Sequence, residues 1–408
     1  MRRSVFLIVL LILLLLLKVS WPWIIAILAI LALILFFVLD YVVATVEKKS
    51  NRVLQKPPYR VSEDALKLQQ KNFMVDLHAD PLLWKRDLLK RYDYGHIDLP
   101  RLIEGGVGLQ VFGLVTKSPK GQNFESNSSI GFDNITLLAF LSAWPPKTWN
   151  NLTERALYEM NKLHTFSEKS SGRLKVIKTV ADLDAVMQGR KQGKEITGGL
   201  LSLEGVHALE GKIENLDLLF DKGLRMVGLT HFFDNEAGGS AHGLEKPGLS
   251  AFGRAVVEKA FEKHMVIDLA HASPAMVDDV LAMTKVPLVV SHTGVRGTAD
   301  NVRNLSDKHV KGVAAVGGVM GIAMFDQAIG ETSFDAMIKA IKYVVDLVGI
   351  DYVAVGGDLD GLVVAPVDVS GMPLLTEGLI KAGFNDEEIG KILGGNAVRV
   401  LTQVLPKA

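Results

Sequence analysis

The sequence predicts an α/β protein built as a (β/α)8 TIM-like barrel behind an N-terminal transmembrane anchor. From residue 73 onward, eight short runs rich in apolar and β-branched residues alternate with amphipathic stretches, a pattern typical of parallel βαβ units. Six of the eight runs deliver a histidine or an acidic residue at or near the C-terminal end, where barrels place their active sites. The predicted strands lie near residues 73–79, 106–115, 198–204, 225–231, 265–271, 287–292, 316–324 and 352–358.

Two long segments interrupt the regular alternation of strands and helices. Residues 116–197, after the second strand, exceed a usual crossover and predict a helical insertion, with a helix over 152–168, that covers the mouth or the side of the barrel. The glycine-rich segment 232–254 follows the fourth strand and is expected to shape access to the site. An open doubly wound sheet is the alternative fold, but no GxGxxG or GxxxxGK[ST] motif follows an early strand. The other predicted helices cover residues 216–222, 253–263, 274–283, 306–313 and 333–348.

Charge and cysteine content narrow the kinds of chemistry available. The 408 residues carry a formal net charge of +0, so no basic field exists to hold nucleic acid. The chain has no cysteine, which excludes disulfides, thiolate metal sites and cysteine nucleophiles. Histidine, aspartate and glutamate are therefore the strong metal ligands that the sequence offers.

The N-terminus has the composition of a membrane segment. Apolar runs at residues 5–17 and 24–39 are separated by KVSWPW, and each is shorter than the roughly 20 residues of a perpendicular span. One kinked helix and a helical hairpin are both compatible with this pattern, and the flanking positive charges fit either arrangement. The expected organisation is a membrane segment of one or two helices over 1–46, a polar linker over 47–62 and a catalytic domain over 63–408.

The ends of the first and third predicted strands supply the first candidate metal ligands. His78 and Asp80 stand two residues apart, so both side chains point to the same face of the strand and can bind one ion. Asp76 has the same spacing and is expected to support the ligands from beneath. Glu204 ends its strand without a polar neighbour that could pair with it. Because an unpaired buried carboxylate is unfavourable, we expect a cation to bind it, and a carboxylate can donate one oxygen to each of two metals.

Four further strand ends complete the candidate site. His271 and His292 close successive strands and are expected to bind metal as neutral imidazoles. His231 is assigned to the substrate carbonyl or the developing oxyanion, and Asp358 to proton transfer beside metal-bound water. Arg303, interpreted as an exposed loop charge, is a candidate for the substrate carboxylate. His207 is expected to support the site and Asp360 to be a turn residue; the unassigned histidines are His96, His164, His242, His264 and His309.

The same residues carry a resemblance to a known family. The motifs DLHAD, SLEGVHAL, GLTHFFDN, VIDLAHAS, VVSHTG, VRN and VGGDLDG, between about residues 73 and 405, resemble those of the membrane (renal) dipeptidases, binuclear zinc peptidases on a barrel fold. The resemblance implies His78 and Asp80 on one zinc, His271 and His292 on the other, and Glu204 bridging the two. It also implies substrate-binding roles for His231 and Arg303 and places Asp358 near the catalytic water.

The expected function is therefore a membrane-anchored dipeptidase that uses two Zn2+ ions to hydrolyse the peptide bond of dipeptides. The expected partners are dipeptide substrates and the lipid bilayer, with a homodimer left open. The vertebrate members use disulfides and a lipid anchor, so the cysteine-free chain with its helical anchor resembles a bacterial branch. We expect it in the inner membrane, with the catalytic domain outside the cytoplasm. The alternatives are another metal-dependent amidohydrolase, such as a lactonase or deaminase, and a degenerate barrel that acts as a binding protein.

Overall fold

A computed structural model describes residues 21–408, in which eight parallel strands close into a barrel. The strands are β1 (Arg52–Val53), β2 (Met74–Ala79), β3 (Val107–Leu114), β4 (Leu174–Val176), β5 (Thr197–Glu204), β6 (Leu224–Gly228), β7 (Val266–Asp268), β8 (Val289–Thr293), β9 (Val319–Ile322), β10 (Val353–Val355) and β11 (Val364–Ala365). Around the barrel the order is β3-β2-β10-β9-β8-β7-β6-β5, and β5 pairs with β3 to close the sheet. Buried aliphatic side chains fill the barrel and the layer between strands and helices.

Helices alternate with the barrel strands. Most begin at a Ser, Thr, Asp or Asn whose side chain accepts a hydrogen bond from a backbone N–H of the first turn, as at Ser273 and Ser333. The α-helices are α1 (Trp21–Ser50), α2 (Glu63–Lys71), α3 (Leu99–Glu104), α4 (Asn134–Leu141), α5 (Leu152–Lys169), α6 (Val180–Lys191), α7 (Glu214–Asp221), α8 (Ala251–Glu262), α9 (Pro274–Met283), α10 (Asp307–Ala315), α11 (Asp326–Ile329), α12 (Phe334–Val348), α13 (Pro373–Lys381), α14 (Asp386–Gly390) and α15 (Asn396–Val404).

The barrel prediction is confirmed, and each of the eight predicted runs overlaps a barrel strand. Several strands end earlier than their apolar runs suggest, because the chain turns out of the sheet before the polar residue is reached. Strand β6 ends at Gly228, β7 at Asp268 and β10 at Val355. The insertion over 116–197 is helical, as expected, but it also contains β4, which pairs with β5.

The N-terminal part of the described chain is helix α1. Within residues 21–408, no helix combines the length and the apolar character needed to cross a membrane. The apolar run over 5–17 lies outside the described residues. The segment predicted as a linker, residues 47–62, contains the end of α1 and strand β1, which pairs in parallel with β11. Helix α1 is thus followed directly by backbone pairing with the barrel domain.

Candidate metal centre

The first part of the site lies at the C-terminal end of β2. Nε2 of His78 is 3.3 Å from Oδ1 of Asp80, and both side chains are buried. Asp76 accepts hydrogen bonds from the backbone N–H groups of His78 (3.2 Å) and Gly357 (2.8 Å), which matches its expected supporting role. On the neighbouring strand, a Cβ at Gly113 would lie 2.1 Å from Oδ1 of Asp80. Glycine is required there because the side chains of Asp80 and His78 occupy the space that any larger side chain would need.

Glu204, the last residue of β5, lies between two groups of potential ligands. Its Oε1 is 3.4 Å from Nε2 of His78, 3.2 Å from Nε2 of His271 and 3.6 Å from Nε2 of His292. Among the described residues, one group is His78, Asp80 and Glu204, and a second is Glu204, His271 and His292. A third group joins His78, His292 and Asp358; within each group the potential ligand atoms lie within 4.8 Å of one another. The five predicted ligands therefore converge, Glu204 is common to the first two groups, and Asp358 is a further potential ligand.

The two imidazoles of the second group approach from β7 and β8. Their Nε2 atoms are 2.9 Å apart. His271 lies three residues beyond the end of β7 with a φ of 63°, a left-handed conformation that is uncommon outside glycine. Ser291 Oγ donates to Asp268 Oδ2 (2.5 Å), and it therefore accepts from Nδ1–H of His292 (2.8 Å). With its proton on Nδ1, His292 directs the lone pair of Nε2 at the cluster. Sequence reasoning missed Asp268 and Ser291, although DLAH and VSH contain both.

Burial and mutual repulsion act strongly on the acids of the cluster. Burial raises the pKa of Glu204 well above its usual value, and the carboxylate of Asp80 adds to this shift. Burial likewise raises the pKa of Asp358 to about 8. Burial alone would lower the pKa of His78, but Asp80 and Glu204 outweigh it and raise the pKa well above its usual value. So many buried carboxylates in contact are unfavourable without a compensating positive charge.

The donor set fits divalent metal ions. Burial holds the pKa values of His271 and His292 well below their usual range, so both imidazoles are neutral, which is the ligating form. In the described part of the chain, buried ligand atoms of this cluster lack hydrogen-bond partners, among them Nε2 of His78, Oδ1 of Asp80 and Oε2 of Glu204. Orphaned donor atoms that converge in this way are expected where a cation binds.

Asp358 and His231 lie beside the ligands. Oδ1 of Asp358 is 3.8 Å from Nε2 of His78, and Asp358 itself adopts a φ of 57° in the turn after β10. Nε2 of His231 is 3.6 Å from Oε2 of Glu204, and its Nδ1 has no hydrogen-bond partner among the described residues. Burial lowers the pKa of His231 well below its usual value. Both residues lie where the sequence predicted them, close to the candidate ligands.

The interpretation of Arg303 as an exposed loop charge was wrong. Only 4% of Arg303 is exposed, and its Nη2 donates a hydrogen bond to the carbonyl oxygen of His292. Its Nε has no hydrogen-bond partner among the described residues. The loop folds back against β8, so the guanidinium lies behind the candidate ligand His292 rather than in solvent.

Asp360 lies in a turn, as expected, and its carboxylate is also buried in a hydrogen-bond network that the sequence analysis did not foresee. It accepts hydrogen bonds from Nη2 of Arg86 (2.5 Å) and from the backbone N–H of His96 (2.6 Å). Nδ1 of His96 accepts from the backbone N–H of Asp360 (2.8 Å), so this histidine is structural. The sequence offered no signal for this network, since Arg86 and His96 are far from residue 360 along the chain.

The remaining histidines divide into site neighbours and distant residues. His242, which the sequence analysis left unassigned, stacks on Phe232 with ring centroids 4.6 Å apart and lies 5.2 Å from the ring of His271. His207 packs against Phe233 and belongs to none of the metal-binding groups in the described chain. His164 bonds a backbone carbonyl and His309 contacts Asp278, both outside the cluster. The position of His242 in the segment 232–254 agrees with the expected role of that loop in shaping the site.

A cavity of about 520 Å3 opens onto the cluster. That volume lies within the range of roughly 300–1,000 Å3 typical of small-molecule sites. Its polar lining includes Asp80, Glu204, His231, His271 and Asp358 from the cluster. Most of its remaining wall is apolar and comes from α1, α4 and the loops that follow the barrel strands.

Comparisons with known proteins agree with this geometry. Residues 62–407 match the family model of the membrane dipeptidases (peptidase family M19). Dipeptidase verJ of Clonostachys rogersoniana is 28% identical over 331 residues, which cover 76% of this chain and 83% of that protein. Dipeptidase aclJ of Aspergillus oryzae is 25% identical over 353 residues, which cover 81% and 78%.

Solved structures share the fold. The probable dipeptidase PvdM from Pseudomonas aeruginosa superposes with a TM-score of 0.71 at 19% identity, covering 85% of this chain and 98% of that one. A metallo peptidase from Rhodobacter sphaeroides, liganded with a phosphinate mimic of the dipeptide L-Ala-D-Ala, gives 0.67 at 23% identity, with 82% and 99% covered. The family match over 62–407 and the curated dipeptidases lead to one conclusion: the chain belongs to the membrane dipeptidase family, peptidase family M19, and is a metallopeptidase that hydrolyses dipeptides.

Proposed function

We propose that this chain is a membrane-anchored dipeptidase with a binuclear zinc centre. The observation that carries the proposal is the position of Glu204, whose carboxylate is common to the group with His78 and Asp80 and the group with His271 and His292. A carboxylate that is shared between two sets of donors is the arrangement by which proteins hold two metal ions a few Å apart, roughly 3.5–4 Å. His78 and Asp80 would complete one site, and His271 and His292 the other.

Zinc is the metal that the donor set favours. Three imidazoles and two carboxylates, with no cysteine in the chain, match the ligands of catalytic zinc sites. Zinc bound there supplies Lewis acidity, both to polarise the scissile carbonyl and to activate a water nucleophile at neutral pH. Hydrolysis of a peptide bond needs both effects, because an amide carbonyl is a weak electrophile and water a weak nucleophile.

The residues beside the ligands perform the remaining steps. His231 lines the cavity with its Nε2 near Glu204, so it is placed to hydrogen-bond the substrate carbonyl as its oxygen becomes negative. Asp358 also lines the cavity; it accepts the proton of the attacking water and returns it to the leaving amine. Proton transfer by one carboxylate in both directions requires a pKa near neutrality, which burial favours here.

Arg303 is proposed to bind the substrate carboxylate. Its Nη2 is committed to the carbonyl of His292, whereas its Nε is unpartnered among the described residues. A guanidinium held in place by one hydrogen bond and presenting another donor can orient an anionic end group with little loss of side-chain entropy. A requirement for a free carboxylate one residue beyond the scissile bond would restrict hydrolysis to very short peptides.

The membrane anchor and its topology belong to the same proposal. The apolar runs at 5–17 and 24–39 support an anchor, and apolar side chains of α1 are exposed in the described chain, including Trp21, Trp23, Ile25, Ile30, Leu33, Ile34 and Phe37. We propose that the anchor lies in a bacterial inner membrane and that the catalytic domain faces outward. Alkaline phosphatase fused after Pro58 should be active and a fluorescent protein fused there dark, and the reverse pattern contradicts the outward orientation.

A panel of substrates tests the proposed activity. Purified protein should hydrolyse free dipeptides, lose activity with a chelator and regain it with zinc, while leaving lactones and nucleosides intact. Dipeptides that end in a D-residue belong in the panel, because the Rhodobacter sphaeroides protein was solved with a mimic of L-Ala-D-Ala. If the protein hydrolyses lactones or deaminates nucleosides but does not hydrolyse dipeptides, it is another metal-dependent amidohydrolase. If it binds its full complement of metal but turns over none of these substrates, it is a binding protein. Sedimentation would test the homodimer separately.

A further inference from the structure

Helix α1 contributes to the same cavity as the catalytic residues. The family match begins at residue 62, so α1 lies wholly outside it. Even so, three side chains of this helix line the cavity together with Asp80, Glu204 and His231, namely Val42, Val43 and Val46. Their spacing of three and four residues places them on one face of the helix. This chain therefore has an element of its substrate cavity that the family match does not include.

The helix is held against the barrel domain by several contacts near its C-terminal end. Buried Glu47 accepts a hydrogen bond from Nε of Arg86, which also donates to Asp360 (2.5 Å). Nearer the surface, Nζ of Lys85 is 2.6 Å from Oδ1 of Asp40. After the helix, the side chain of Asn51 accepts from the backbone N–H of Leu362 (2.8 Å). The wall formed by α1 is thus fixed to the turn that carries Asp358 and Asp360.

Outside the candidate metal centre, most of the side chains that line the cavity are apolar; the polar ones are Ser118, Gln122, Asn134, Asp326 and Gln327. Helix α1 contacts α4. From the two helices and the adjoining loops, apolar side chains line the cavity, among them Ile135, Leu137, Leu138, Leu141, Phe124 and Leu362. An aliphatic or aromatic group buried against such a surface gains affinity for each methylene removed from water. A dipeptide of small residues would leave this surface in contact with water.

We infer that helix α1 is a specificity element: Val42, Val43 and Val46 form a wall that receives a bulky apolar side chain of the dipeptide and so favours such substrates over small ones. This inference rests on the proposed dipeptidase function. Discrimination comes from apolar contact with the substrate side chain, which increases in proportion to its size. The wall does not touch the reacting atoms, so the hydrolysis of small dipeptides is independent of it.

The absence of native cysteine allows a direct test in the full-length chain, kept in detergent throughout. Val46→Cys places a thiol on the wall, at a position that is 47% exposed and within reach of a maleimide. Tyr41→Cys is the matched control, because it lies on the same helix, is 74% exposed and is absent from the cavity wall. Each variant is modified with N-ethylmaleimide, the extent is measured by mass, and kcat and KM are measured for leucylleucine and glycylglycine.

The expected result is a selective effect at position 46. Modified Val46→Cys should lose at least about tenfold in kcat/KM for leucylleucine, mainly through KM, with glycylglycine nearly unchanged. Val46→Ile should keep the wild-type ratio between the two substrates, and modified Tyr41→Cys should keep it as well. Equal losses for both dipeptides, or no loss, would overturn the role of α1 while leaving the dipeptidase proposal intact. If the unmodified parent hydrolyses neither dipeptide, the proposed function fails, and this inference fails with it.

Discussion

The hydroxyl of Ser291 lies 2.8 Å from Nδ1 of His292, and it donates its own proton to Asp268. Because the hydroxyl has a single proton, it must accept from the imidazole, which fixes the tautomer of His292. All three residues are buried, so solvent cannot replace either bond. The orientation of one candidate metal ligand therefore depends on a residue that does not bind metal.

Ser291→Ala should weaken metal binding without changing the fold. Removal of the acceptor frees His292 to rotate or to change tautomer, and the loss of such a supporting contact lowers metal affinity by roughly 10–100-fold. The measurement is a titration of the metal-depleted protein with zinc. Ser370→Ala is the control, because Ser370 also donates to an aspartate, Asp368 (2.6 Å), away from the cluster. Equal zinc affinity in the two variants would contradict the role of Ser291.

Arg303→Ala should impair both substrate binding and stability. The variant removes a charged donor from the carbonyl of His292 in a buried setting, which should cost about 1.5–3 kcal/mol of unfolding free energy. It should also raise KM for free dipeptides, and amidation of the substrate's C-terminus should have the same effect on the wild-type enzyme. Arg303→Lys keeps the positive charge but loses the planar guanidinium, so its KM for free dipeptides should lie between those of the wild type and Arg303→Ala. Equal KM for free and amidated dipeptides would remove the carboxylate role.

Removal of metal should make stability depend on pH in a defined direction. In the metal-free protein, the raised pKa values of Glu204 and Asp358 mean that the folded state binds more protons than the unfolded state above about pH 4. The stability contributed by the protonated groups is therefore lost as pH rises toward about 8. The raised pKa of His78 acts in the same direction, because its protonated form is stabilised in the fold.

The other imidazoles define the useful range of that experiment. The lowered pKa values of His271 and His292 make stability increase with pH, but only up to their unfolded value of 6.5. Thermal unfolding between about pH 6.5 and 8 should therefore show a falling Tm for the chelated protein and a nearly constant Tm for the zinc-loaded one. Parallel curves for the two forms would show that these acids do not bind the metal.

Glu47→Gln should loosen helix α1 from the barrel. The substitution removes one of the two carboxylate partners of Arg86, which keeps Asp360, so the loss of this charged hydrogen bond should cost about 1.5–3 kcal/mol. Hydrogen exchange in α1 and β1 should increase, and selectivity for leucylleucine should fall. Asp40→Asn breaks the more exposed pair with Lys85 and should cost about 0–1 kcal/mol. Equal exchange in the two variants would contradict the importance of the buried pair.

The barrel and the five ligands were predictable because their signals are local in sequence. Alternating apolar runs located the strands, and the polar residues that follow them, such as His78 and Glu204, lie together in the structure. His231 and His271 follow their strands by three residues, which periodicity alone could not show. The burial of Arg303 and the docking of α1 through Glu47 depend on contacts between distant segments, for which the sequence carries no pattern.

Metal stoichiometry in Glu204→Gln tests the central proposal most directly. The wild-type chain should bind two equivalents of zinc and the variant fewer, because a neutral amide cannot bridge and balance two dications. Turnover should fall by more than about 100-fold, beyond the loss typical of a supporting residue, while circular dichroism stays unchanged. Glu214→Gln, at the exposed start of α7, should retain both zinc ions and full activity. Two zinc ions and near-normal turnover in Glu204→Gln would contradict a binuclear centre bridged by this residue.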